Sequence, residues 1–189
     1  AESFDWPADK LTVNGTQPLW NNVAGELAIS VFLNRGYYKY TMSQQGFYDT
    51  DLPPLSKRDL RDSAGSHAAS GWRGDRYLVY PNGDGAGGSD HVYWRSKWAS
   101  PEDAAEFFHG ARVALAYAHS LTLGRADYEI ASSPGDRTPI TPESTGTTFE
   151  SETSKGRQIL IELDEANSEV TIVNAGDKEW LKALQTLAP

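Results

Sequence analysis

His67, His91, His109 and His119 are the only imidazoles in the chain, and cysteine is absent, so metal or proton-transfer chemistry would rest on these four and nearby acids. Glu106 and His109 stand three apart in a helical stretch and share a face, which is half of the arrangement used by di-iron carboxylate bundles. A second copy of that pair is absent from the sequence. His119 follows His109 by ten residues, about 80° around a helix, so the two rings need help from elsewhere to hold one ion. The expectation for Glu106, His109 and His119 is a solvated helix face. No Gly-x-Ser-x-Gly elbow and no thiol offers a nucleophile. Gly83 to Gly88 lies between two strands rather than before a helix, so it does not form a phosphate cradle.

Three further groups carry chemistry of other kinds. Asn82, Asp84, Ser89 and Asp90 surround a glycine-rich loop, and their oxygens could wrap calcium, which tolerates irregular oxygen cages. Their spacing matches no EF-hand loop, and a plain hairpin connection is the simpler account; calcium is the one cofactor these residues suggest. Tyr37, Tyr38 and Tyr40 form an aromatic cluster that could stack on a sugar or meet a partner surface. Arg73-Gly74-Asp75 spells an adhesion tripeptide. A structural role is expected instead: Gly71 and Gly74 permit a tight turn, Trp72 plugs the core, and Asp75 or Arg76 pairs with charges where a strand begins.

The elements that must position these groups follow from hydrophobic period. At 189 residues the chain suits one ordinary core without metal or disulfide support. Residues 1–18 read as an irregular lead-in and 19–189 as one α+β domain. Leu19 to Leu33 carries Trp20, Val23, Leu27 and Val31 at helical spacing and predicts a mostly buried helix. Ser56 to Ser70 suggests short helical pieces. Tyr77 to Tyr80 and His91 to Trp98 predict a long-looped hairpin. In the second of these strands Trp94 and Trp98 share the inward side, with His91, Tyr93, Arg95 and Lys97 on the other. Ser100-Pro101-Glu102-Asp103 is a helix start with a capping hydroxyl, proline at the first turn and acids at the positive end of the dipole. The helix should run from Pro101 to about Leu123. Strands are expected at Ala126 to Ser132, Thr147 to Glu152, Gln158 to Leu163 and Glu169 to Val173, and a short amphipathic helix at Asp177 to Leu187. The fold class is therefore α+β, an antiparallel sheet with helices packed on one face.

Charge and composition exclude some functions. Lys plus Arg number 17 against 26 Asp plus Glu, a net charge of −9. Nucleic-acid binding rests on clustered cations, so it is not expected. No stretch approaches the roughly 18–20 apolar residues of a membrane span. The acidic surplus suits a salt-rich habitat, and Asn14-Gly15-Thr16 is a sequon that would sit in a surface loop of an exported protein.

An ordered set of short motifs supports a resemblance. Gly25-Glu26, Gly71-Trp72-Arg73-Gly74-Asp75-Arg76, Tyr93-Trp94, Lys97-Trp98, Asp103-Ala104 with Phe107, and Val170-Thr171-Ile172-Val173-Asn174 occur in sequence. Together, over about residues 20 to 175, they resemble the C-terminal half of a family of secreted haloarchaeal surface proteins, which look related to bacterial zinc metallopeptidases. The resemblance implies an exported or envelope-associated protein. The His-Glu-x-x-His pentad that such peptidases need for zinc is missing. If the relation holds, this chain has lost the catalytic portion or been cut from it. The reading that results is an extracellular or cell-surface domain acting by binding or structure, with a cell-surface protein or glycan as partner. A metal-dependent hydrolase fragment and a carbohydrate-binding module of the envelope are its alternatives.

Overall fold

A computed structural model describes residue 4 and residues 8–33, 68–83, 90–119 and 147–187. Six strands, β1 (Trp20–Asn22), β2 (Trp72–Tyr80), β3 (His91–Trp98), β4 (Thr148–Glu152), β5 (Gln158–Asp164) and β6 (Glu169–Ala175), form one antiparallel sheet in the order β1-β2-β3-β6-β5-β4. Among the described residues three longer helices accompany it, α1 (residues 25–33), α2 (Pro101–His119) and α3 (Lys178–Gln185), besides a 3-10 turn at Ala8–Leu11 and helical residues 68–69. The α+β class and the antiparallel sheet agree with the sequence. Tyr37, Tyr38, Tyr40, His67, Asp84 and Ser89 lie outside the described residues, as do the expected strand at 126–132 and most of the 56–70 stretch.

Period-2 alternation gives the sheet two apolar faces. Ile159, Ile161, Leu163, Val170, Ile172 and Trp98 point toward α2, where they meet Phe107, Phe108 and the alanines of that helix, together with Ile29 and Leu33 of α1. Phe107 stacks on Trp98 at 4.6 Å and meets Trp94 edge-on at 5.6 Å, so the two tryptophans are inward as their spacing indicates. α1 and α2 thus share one face. α3 lies on the other, where Leu181 and Leu184 join Leu78, Tyr80, Tyr93, Leu160, Val173 and Ala175, so the expectation that the helices pack on one face is corrected: the sheet has apolar side chains on both faces and is covered on both. Leu11 and Val13 are buried in that second cluster, and Tyr80 donates its hydroxyl to the Leu11 carbonyl at 2.8 Å. Part of the lead-in is therefore core. Burial and the neighbouring Tyr93 push the Tyr80 hydroxyl up to about 12.

Further expectations are overturned. Leu19 to Leu33 is not one buried helix: Trp20 to Asn22 pair with Tyr77 to Val79 as an edge strand, and the helix begins only at residue 25. Trp20, Val23, Leu27 and Val31, expected inside, are exposed, and Ile29 and Leu33 are the residues at 0 % accessibility. Pairing with a strand more than fifty residues away outweighs local helical spacing here, and it rotates the helix to a different inward stripe. Likewise His109 is fully buried rather than solvated, because α2 is covered nearly all round and buries Ala105, Val113 and Ala116 as well as its main apolar stripe. Ala118, expected on the apolar stripe, is exposed.

Candidate functional site

Asp75 accepts four hydrogen bonds through its side chain. It is buried on β2, where the strand carries a bulge between Trp72 and Gly74 that leaves Arg73 exposed. Asp75 Oδ2 accepts from the Ala24 N–H at 2.8 Å and from Trp94 Nε1 at 2.9 Å. Oδ1 accepts from the Gly25 N–H at 2.9 Å and from Trp72 Nε1 at 3.1 Å. One carboxylate thus fills four acceptor positions, two of them serving the first amides of α1, where the helix dipole favours negative charge. The expectation that Asp75 or Arg76 pairs with charges is corrected for Asp75, whose partners among the described residues are neutral N–H groups. Arg76 donates through Nε to the Asn21 side chain. The adhesion tripeptide does not present its acid to solvent.

Gly71 shows why this corner needs glycine. Its φ is +88°, and a β-carbon there would lie 2.5 Å from Asp103 Cγ. Asp103 belongs to the cap of α2: its N–H donates to Ser100 Oγ at 3.1 Å, and Ser100 Oγ donates to Asp103 Oδ2 at 2.9 Å. The Gly71 carbonyl accepts from Ala99 N–H at 2.8 Å, which fixes the β2 start against the α2 start.

A second polar group lies at the opposite end of β3. His91 is buried, stacks on Trp180 of α3 at 4.1 Å and 15°, and accepts through Nδ1 from the Gly176 N–H at 2.8 Å. That bond requires an unprotonated Nδ1. Burial, then the Arg157 charge, hold the imidazole below its ordinary range against the pull of Asp177 and Asp90. Arg157 donates to the Asn174 side chain and to the Asp90 carbonyl. Of the proposed calcium cage, Asn82 and Asp90 are brought together, the Asn82 N–H donating to Asp90 Oδ1 at 3.3 Å. Among the described residues no group of three or more histidines and acids converges as a metal site.

Among the described residues a groove of about 430 Å³ lies on the α3 face, beyond the end that α3 covers. Strand register builds it, because residues directly opposite in neighbouring strands share a face. Thr148, Glu162, Thr171 and Arg95 stand in one row across β4, β5, β6 and β3. Asp164 and Glu169 form the next row. Arg95 is held by Glu169, with Nε donating to Oε2 at 2.9 Å, and lies 5.3 Å below the Phe4 ring. Burial and the like charge of Glu150 raise the Glu162 carboxyl above its ordinary value. Asp164 is lowered, chiefly by the hydrogen bond from the Asn167 side chain. The groove therefore offers carboxylates, threonine hydroxyls and an anchored guanidinium edge. Sequence reasoning missed it, although the alternation of Thr171, Glu162 and Arg95 with apolar neighbours was its visible signal.

Among the described residues no helix is long and apolar enough to cross a membrane. The family model described as Domain of unknown function (DUF8575) matches residues 16–185, and the chain belongs to that family. No curated protein and no solved structure matches it.

Proposed function

We propose that this DUF8575 domain is a non-catalytic part of an exported or cell-surface protein and acts by binding, with the groove of the α3 face as its contact surface. The observation that carries this reading is the row Thr148, Glu162, Thr171 and Arg95, polar side chains set at β-strand spacing across four strands and open at one end of the sheet. Such a row meets hydroxyls and amides at several points, which suits a glycan or the polar surface of a cell-surface protein. The buried acids and imidazoles, by contrast, serve the fold: Asp75 holds α1, Glu169 holds Arg95 and His91 holds the lead to α3. Exposure of the sequon residue Asn14, at the tip of a two-residue turn closed by Val13 and Thr16, accords with an exported chain.

The test is a heteronuclear NMR titration with a glycan panel and with envelope protein extracts fractionated to single components. Shifts are expected at Thr148, Glu162 and Thr171, and Glu162→Gln with Thr171→Val should weaken binding about tenfold or more, as loss of two hydrogen bonds would. Stoichiometric zinc after purification in metal-free buffer, with peptide hydrolysis abolished by chelation, would overturn the reading.

A further inference from the structure

Asn174 sits in β6 opposite Val92, so its side chain is on the α2 face. Arg157, just before β5, donates through Nε to Asn174 Oδ1 at 2.8 Å. A guanidinium has no acceptor, so this bond fixes which end of the Asn174 amide is oxygen. The amide nitrogen then faces His119 Nε2 at 3.2 Å. Because that nitrogen can only donate, His119 Nε2 must accept, and the ring must be neutral with its proton on Nδ1.

We infer that His119, Asn174 and Arg157 form an acid-released clasp that ties the last turn of α2 to β6. Protonation of His119 would place two donors face to face at 3.2 Å, and Asn174 cannot turn over without losing Arg157. Arg157 is itself held by the carbonyls of Asp90, at 2.7 Å, and Asn174, at 3.2 Å, so it does not retreat. The surroundings reinforce the direction. Among the described residues the charged group acting on His119 is Arg157, and its own helix offers apolar Leu115 and Ala116 one turn back. Burial first, then that guanidinium, hold His119 below its ordinary 6.5. For a histidine lowered in the fold, the contact is complete above that value and is lost as pH falls below it toward the folded-state value.

The experiment is an NMR pH titration of the whole chain from pH 8 to 4.5, following the His119 ring, the Asn174 side-chain amide and hydrogen exchange in the last turn of α2. His119 should titrate below 6.5 with the Asn174 amide moving in step. Protection of that turn should fall by up to about tenfold for each pH unit between 6.5 and the point at which His119 titrates in the fold, and level off below it. His119→Gln keeps an acceptor that cannot titrate, and its last turn should stay protected at pH 5. The Gly176 amide reports His91 separately, so the two imidazoles are not confused. The clasp is refuted if Asn174 stays still while His119 titrates, or if His119→Gln loses protection over the same interval. Should that variant fail to fold, the wild-type titration alone decides.

Discussion

A carboxylate that accepts four N–H groups has little freedom to vary. Asp75→Ala leaves two helix amides and two indole N–H groups buried without an acceptor, and should cost about 3 kcal/mol or more in urea denaturation. Arg73→Ala, two residues away but exposed, should change stability by less than about 0.5 kcal/mol. Equal losses would mean that the tripeptide, not the acid's hydrogen bonds, matters. His91 gives a pH prediction of defined sign. Its value in the fold is lowered, so the Gly176 bond is intact above about 6.5 and is lost as pH falls below that. Protection of the Gly176 amide, taken relative to its intrinsic exchange rate at each pH, should fall as His91 takes up its proton, and protection that stays constant while the His91 ring titrates would show that His91 is not its acceptor. The residue types at these positions were plain in the sequence, but their partners were not. Asp75 meets α1 across fifty residues and His91 meets Gly176 across eighty-five, distances that no local pattern reports.

Elements with strong local signals were legible. The Ser100-Pro101 start of α2 caps as its residues dictate, and the alternation in β3 put Trp94 and Trp98 against Phe107. α1 was misread because Trp20 belongs to a strand that exists only through β2, and an edge of three residues has no period of its own. The α3 face was missed for a related reason: His91, Tyr93 and Arg95 look like a solvent side until Trp180 and Leu11 cover part of them. Where two elements touch at a glycine, substitution gives a sharp contrast. Gly71→Ala must force a β-carbon against Asp103 while holding φ at +88°, and should cost several kcal/mol, roughly 3 or more. Gly156→Ala also has positive φ, +78°, but open space around it. It should cost only about 1–2 kcal/mol, the left-handed penalty alone. Thermal melts of the two variants separate crowding from backbone strain.

At the scale of the whole molecule, net charge of −9 means self-repulsion that salt relieves. Glu150, Glu162 and Asp164 share the α3 face on neighbouring strands, where register brings like charges together. Raising salt from about 0.05 to 1 M should lift the melting temperature by roughly 2–4 °C, the equivalent of about 1 kcal/mol at this size. A flat response would show that the acids are already balanced by neighbouring cations. The order β1-β2-β3-β6-β5-β4 has a further consequence. It consists of two meanders stitched along a single seam, β3 against β6, with Trp94 opposite Ile172. On the ribosome, β3 is made long before its inner neighbour exists, so a nascent chain stalled before Glu169 exposes the flank of β3 and the tryptophans beside it. Until its last strand is made, the growing sheet thus has an unpaired flank along β3.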